Sequence, residues 1–222
     1  MLLRHFSNSL RTRVSMRAQT LLILCALILG ACASGPKAVK SGEDAEQVTA
    51  EERLSNVPTK ALTLFEQAAA IMAAGDTVDA ELRFKEFILQ YPGYPGALVN
   101  LAILSAQAGD DQAAEGFITD ALMVDPGHAA ALNQLGMLLR RQGKFIEAES
   151  AYLKAVTASP DYALAHYNLG VLNELYMQRL DAALQHFERY QEIEGEDKQV
   201  TKWIADLKRR LDAEQRAAKV TE

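Results

Sequence analysis

The sequence predicts an all-α protein with internal repeats, and two observations support this. Alanine and leucine dominate the apolar residues, and no stretch shows the sustained alternation of apolar and polar residues that is typical of strands. Three residue types also recur in register with a period of 34 residues, which indicates repeated structural units. The recurring residues are Gly75, Gly109 and Gly143, then Ala80, Ala114 and Ala148, then Pro92, Pro126 and Pro160.

The pattern resembles the tetratricopeptide repeat, whose unit is a pair of helices, A and B. The match is looser in the first unit, and the fourth lacks the glycine and the proline and fits only with one residue inserted near 177–179. The resemblance implies a right-handed α-solenoid of about four helix pairs within residues 58–194. The units are residues 61–94, 95–128, 129–162 and 163–194. The third matches best, at Leu132, Leu135, Gly136, Gly143, Ala148, Tyr152, Ala155 and Pro160.

The recurring small and turn residues have physical roles in such a unit. Small side chains let helix A approach helix B closely. The glycine after each helix A allows the turn to reach positive φ. The proline begins the next turn, where a missing N–H costs nothing. The small residues expected to face each other are Ala102 with Ala114, Gly136 with Ala148, and Gly170 with Ala183.

Residues 195–222 are predicted to form a C-terminal capping helix and tail. A stack of helix pairs needs a final element with one apolar and one polar face. Lysine and arginine occupy the side opposite a single apolar stripe, so Trp203 is expected to pack on the last repeat rather than to bind a ligand. The stripe consists of Val200, Trp203, Ile204, Leu207 and Leu211.

Residues 1–31 are predicted to be a secretory signal. Four arginines and no acidic residue precede the apolar stretch Leu21–Ala31, which is shorter than the roughly 20 residues that span a bilayer. The tetrad ending in Cys32 resembles the lipobox of bacterial lipoproteins, which implies a covalent lipid on Cys32. An ordinary signal peptide with a chance cysteine and an uncleaved anchor remain alternatives, as does a translation start at Met16.

Residues 32–57 are predicted to be a lipidated, flexible tether, because they contain no aromatic and few bulky aliphatic residues. Removal of the signal would leave 19 Lys and Arg against 29 Asp and Glu, a net charge of −10. An acidic surface argues against nucleic acid as a partner. Since Cys25 would leave with the signal, no disulfide is expected.

No grouping of residues predicts catalysis. His166 and His186 lack nearby cysteines or converging carboxylates, and His128 lies in a loop before a helix, so structural rather than metal-binding roles are expected. Asp110 and Asp111 follow a turn glycine and are typical of a helix N-cap. The sequence contains no phosphate-binding loop or metalloprotease motif. We therefore expect no enzyme activity, no cofactor apart from the lipid, and no small-molecule substrate.

The family resemblance implies a partner peptide in a concave groove lined by helix A. The asparagines of this groove either bind a partner's backbone or are solvated. Its two arginines either hold an acidic segment or oppose the helix dipole. Of the family's carboxylate-clamp positions only Asn100 fits, so that kind of clamp is not expected. The predicted groove residues are Phe65, Met72, Val99, Asn100, Ile103, Asn133, Gln134, Met137, Arg140, Arg141, Tyr167, Asn168 and Val171.

Together these features predict a lipid-anchored protein that faces the periplasm and acts as a protein-binding scaffold. Ala33 after the cysteine resembles outer-membrane lipoproteins under the enterobacterial sorting rule. In architecture, an anchor followed by repeats is similar to the assembly lipoproteins of type IV and Flp pili. The alternatives are an accessory of a TonB- or Tol-like energy-coupling complex, or a purely structural envelope lipoprotein.

Overall fold

The computed structural model describes residues 58–220, which form nine α-helices and no strand. The first eight helices form four consecutive pairs, and each second helix also packs on the first helix of the next pair. This confirms the predicted all-α stack. The predicted signal, Cys32 and tether lie outside the described residues. The helices are α1 (Thr59–Ala74), α2 (Thr77–Gln90), α3 (Pro95–Gln107), α4 (Asp111–Val124), α5 (Ala129–Arg141), α6 (Phe145–Ala158), α7 (Ala163–Leu175), α8 (Leu180–Glu194) and α9 (Lys198–Val220).

The turn between the two helices of a pair depends on one residue with positive φ. Gly143 has a φ of 77°, and the backbone around it closes α5 through the bond from the Lys144 N–H to the Leu139 carbonyl, 2.9 Å. In the fourth pair the turn, residues 176–179, is one residue longer than in the second and third pairs, as the sequence predicts. Gln178 takes the left-handed conformation there, with a φ of 54°. A non-glycine residue in this region is uncommon, so the lost glycine has a structural cost.

In the third and fourth pairs, the close approach of the two helices is made against an aromatic ring. A Cβ placed on Gly136 would lie 2.5 Å from Cε1 of Tyr152, and one on Gly170 would lie 2.6 Å from Cδ1 of Phe187. The predicted facing residues, Ala148 and Ala183, are fully buried. However, the atoms nearest to the two glycines belong to the rings. The expectation was therefore incomplete: the glycine provides space for the ring.

Helix α9 covers the last pair as predicted. Val200 and Leu207 are buried against Phe187 and other side chains of α8. The Trp203 ring lies 5.4 Å from the ring of Phe187, centroid to centroid, which confirms its packing role. None of the described helices combines the length and the apolar character needed to cross a bilayer.

Candidate functional site: the inner face of the helix stack

The first helices of successive pairs form one layer of the stack. Helix α5 packs on both α3 and α7, whereas successive second helices make no comparable contact in residues 58–220. Because the layer with closer neighbours lies on the inside of a curved stack, we call α1, α3, α5 and α7 the inner helices and their exposed surface the inner face. All the predicted groove residues belong to these four helices.

The predicted groove residues differ in exposure, which separates surface from scaffold. Met72, Val99, Asn133 and Asn168 are buried, and Val99 belongs to a core cluster with Leu98. These four residues therefore support the inner face without forming its surface, contrary to expectation. Arg141 is exposed. The half-buried residues, which form the surface, are Phe65, Asn100, Ile103, Gln134, Met137, Arg140, Tyr167 and Val171.

Two of the predicted asparagines bond to each other across neighbouring inner helices. The Nδ2 of Asn168 donates to the Oδ1 of Asn133 at 2.9 Å, and the two side chains are only 6% and 1% exposed. These two amides therefore bind each other, and they bind neither a partner's backbone nor solvent. A buried amide pair of this kind links α5 to α7 and disfavours apolar replacement of one member alone. The period of 34 residues does not reveal this bond, because it joins residues at different positions of the repeat.

The two arginines at the end of α5 also have separate roles. Arg141 forms a salt bridge with Asp111 and donates from Nη1 to the Ala106 carbonyl at 3.3 Å, so it links α5 to the preceding pair. The guanidinium of Arg140 lies over the ring of Tyr176, with Cζ 5.9 Å from the ring centroid. The predicted N-cap role of the neighbouring Asp110 is confirmed, since its Oδ1 accepts from the Ala113 N–H at 2.9 Å.

A pocket of about 300 Å³ opens beside Arg140. Its floor is apolar and comes from α3, α4 and α5, while its rim combines amide, thioether, guanidinium and phenol groups. An apolar cavity with a few converging polar groups is the usual form of a binding site. The lining residues are Ala102, Ala106, Ala114, Ile118, Gln134, Met137, Leu138, Arg140, Arg141 and Tyr176. Four of them are predicted groove residues.

The two histidines of the last pair meet at the other side of α7. Their Nδ1 atoms are 3.1 Å apart, and the Nε2 of His166 lies 3.1 Å from the Pro160 carbonyl. His166 therefore donates from Nε2, and the Nδ1–H of neutral His186 donates to its Nδ1. Burial, with the charge of the neighbouring ring, lowers the pKa of His186 to about 4. Across the described residues, no three His, Cys, Asp or Glu side chains form a potential metal site.

Comparison with known protein families agrees with this architecture. Two family models, both described as tetratricopeptide repeat, match residues 71–138 and 127–193, which together make up more than half of the 222 residues. The chain belongs to the tetratricopeptide repeat family. A search among curated proteins finds no significant match.

Solved structures of other tetratricopeptide repeat proteins are similar to this chain. PilF of Pseudomonas aeruginosa shares 22% identity over 69% of each chain, with a TM-score of 0.61. A thermophilic protein of Thermus thermophilus shares 23% identity over 71% of this chain and 86% of its own, with a TM-score of 0.57. The first repeat domain of RPAP3, bound to an HSP90 peptide, shares 22% identity over 53% and 95%, with a TM-score of 0.50. At such identities the likeness shows the fold alone.

Proposed function

We propose that this protein is a lipid-anchored periplasmic adaptor whose inner face binds a protein partner without catalysis. The observation that carries the proposal is the pocket beside Arg140, whose half-buried lining residues Gln134, Met137 and Arg140 belong to the inner helix α5. Members of this family bind peptides or proteins on helical scaffolds, as the RPAP3 domain does with an HSP90 peptide. An apolar floor and a few polar groups at the rim suit a peptide segment.

Charge supports a protein rather than a nucleic acid as the partner. The full chain has a net charge of −6, and a polyanion would need a basic patch to displace its counterions. Within residues 58–220, most of the arginines are paired with carboxylates of the protein itself, as Arg179 is with Glu149 and Arg189 with Asp161. A partner held chiefly by apolar and amide contacts on the inner face agrees with this distribution.

The proposed location is the outer membrane, with the repeats facing the periplasm, and the proposed role is in the assembly of an envelope machine such as a type IV or Flp pilus. Two features of the sequence support this location and role: the signal-like stretch before Cys32, and the order of a predicted anchor followed by repeats. The lipid would hold the chain at the membrane, since a diacylglycerol with a further acyl chain exceeds the two chains needed for stable anchoring. A Cys32→Ala variant should move from the detergent phase to the aqueous phase, and unchanged partitioning would refute the anchor.

The binding role can be tested by crosslinked capture from intact cells. A Met137→Glu variant places a charge beside the pocket, whereas Leu153→Glu makes the same kind of change on the exposed side of α6. We expect the wild type and the Leu153→Glu variant to capture the same partner, and the Met137→Glu variant to lose it. A pilus or secretin protein among the captured partners would support the assembly role, and an energy-coupling protein would support the alternative. Equal capture by all three proteins would overturn the binding role of the inner face.

A further inference from the structure

Arg140 and Arg141 are adjacent in the sequence, but only one of them has a counter-charge in the structure. Arg141 is satisfied by Asp111 and by a backbone carbonyl. Arg140 makes no salt bridge within residues 58–220, and its buried side-chain atoms lie beside the hydroxyl of Tyr152, which is neutral. A half-buried charge without a counter-charge is costly, so this arrangement suggests an anionic group that the described residues do not supply.

The groups around Arg140 are neutral aromatic side chains, so they leave its charge uncompensated. The buried hydroxyl of Tyr152 is within hydrogen-bonding reach of the Arg140 side chain, but it is neutral and does not compensate the charge. Burial raises the pKa of Tyr152 to about 12, although the nearby Arg140 opposes the rise. The rings of Tyr176 and Phe145 pack together with their centroids 4.6 Å apart, and the guanidinium lies over the ring of Tyr176. The aromatic groups thus hold the guanidinium at the pocket without neutralising it.

The pocket beside Arg140 suits an apolar side chain that lies next to an acidic side chain in the partner. Ala102, Ile118 and Leu138 form a buried apolar cluster under it, and Gln134 and Met137 lie at its rim. Its volume of about 300 Å³ is at the lower end for a ligand site, which fits one or two side chains rather than a large cofactor. Aliphatic groups would contact the floor while a carboxylate reached the guanidinium.

We propose that this pocket receives an acidic side chain, Asp or Glu, of an extended segment of the partner protein, with its carboxylate on Arg140 and an adjacent apolar side chain on the pocket floor. This inference rests on the proposed adaptor function and specifies the chemistry of its partner. A planar guanidinium binds a carboxylate through two parallel hydrogen bonds, which gives geometric selectivity. The inner face also has half-buried apolar side chains on the helices either side of α5, Ile103 on α3 and Val171 on α7, so a side chain within a longer segment fits better than the carboxylate at a chain end.

The test measures fluorescence anisotropy of short labelled peptides with the full chain in detergent. The three probes have the same leucine-flanked sequence: one is amidated with a central glutamate, one is amidated with a central glutamine, and one has the glutamine and a free terminal carboxylate. We expect the glutamate peptide to bind at least about tenfold more tightly than the glutamine peptide, the factor typical of a charge-assisted hydrogen bond. Equal affinities, no measurable binding of the glutamate peptide, or preference for the free terminus would each overturn the proposal.

Variants assign the effect to the residue. Arg140→Gln should remove the preference for glutamate, and Arg140→Lys should retain part of it, because the charge remains but the planar pair of donors is lost. Arg189→Gln is the matched control and should keep the preference, since Arg189 is paired with Asp161 and does not line the pocket. Circular dichroism checks that each variant folds. A preference that survives Arg140→Gln would overturn the assignment.

Cell capture separates this proposal from the one on which it rests. If Met137→Glu loses the partner while Arg140→Gln captures it normally, the adaptor function stands and the carboxylate pocket is refuted. If neither change affects capture, the binding role of the inner face is refuted as well. Loss of the partner in both variants, with Arg189→Gln and Leu153→Glu unaffected, is the result that both proposals predict.

Discussion

The two ends of the helix stack differ in how their apolar faces are covered. At the C-terminal end, α9 packs on α8 and buries Leu207 completely. At the N-terminal end of the described residues, a pocket of about 380 Å³ lies between α1 and α2, and its lining includes Leu64, Ile71 and Phe87. One end is therefore closed by a helix, and the other presents apolar side chains.

A single repeat position shows what causes the difference. Leu64, Leu98 and Leu132 occupy the same position of successive units, yet Leu98 and Leu132 are 7% and 5% exposed whereas Leu64 is half-buried. Leu98 packs in one cluster with Ile88 of the preceding pair, and Leu132 packs in another with Leu122. No helix precedes α1 in residues 58–220. Burial in this stack is thus supplied by the neighbouring unit rather than by the residue itself.

The largest expected effect is at the closed end. Leu207→Ala removes a fully buried side chain of α9, and it should lower the free energy of unfolding by about 2–5 kcal/mol. Urea unfolding followed by circular dichroism measures this. Arg209→Ala, on the exposed side of the same helix, is the control and should change the value by no more than about 0.5 kcal/mol. Equal effects of the two changes would mean that α9 does not stabilise the stack.

The first and last pairs also differ at the position where helix A approaches helix B. The last pair has Gly170, whose added Cβ would lie 2.6 Å from Phe187, while the first pair has Ala68 at the equivalent position. Gly170→Ala should therefore destabilise the protein by about 1–3 kcal/mol through overpacking. Gly116→Ala, in an exposed part of α4 with open space around it, should instead stabilise by up to about 1 kcal/mol. Thermal unfolding of both variants would show opposite shifts; a shift in the same direction would contradict the close approach.

Acid should weaken the last pair before the first, since His166 and His186 lie in α7 and α8. Burial is the largest cause that lowers the pKa of both rings, and it lowers that of His186 to about 4. The ordinary pKa of histidine is 6.5, so between these pH values the unfolded chain binds more protons than the folded chain. Stability is full above pH 6.5 and is lost as the pH falls toward 4. The loss should be about 1–2 kcal/mol, because the ring is partly solvated.

Unfolding measured across this pH range in wild type and in His186→Asn tests the effect. The variant should show a shallower loss of stability with falling pH. Asp161, Arg189 and Glu192 also face this pair, and Asp161 and Glu192 both pair with Arg189. Gln185→Asn, at an exposed position of α8 that does not ionise, is the control and should leave the slope unchanged. An identical slope in wild type and His186→Asn would exclude the histidine pair as the cause.

The smallest effect is expected at the uncovered end. Leu64→Ala should cost about 1 kcal/mol or less, because this half-buried side chain loses little burial. Leu98→Ala, at the same repeat position but covered by the preceding pair, should cost about 2–4 kcal/mol. Urea unfolding compares the two directly. Similar losses would show that another part of the chain covers Leu64, which would remove the difference between the ends.

The features that follow from a fixed period were predictable from the sequence. The 34-residue register predicted the helix pairs and the turn with an extra residue before Arg179. The spacing of apolar residues along one helix face predicted the packing of Trp203. The Asn133–Asn168 bond and the contact of His166 with His186 depend on which side chains meet across helices, and spacing within one unit does not specify this. The separate roles of Arg140 and Arg141 were likewise left open, because they are set by Asp111 and Tyr176 in other units.

We expect the inner face, and not the outer helices, to contact the partner. Photo-crosslinking in intact cells tests it directly, with benzoylphenylalanine placed at Gln134 on the inner face or at Ile146, which is 62% exposed on α6. We expect a covalent adduct with the captured partner from Gln134 and none from Ile146. An adduct from Ile146 alone, or equal adducts from both positions, would contradict it.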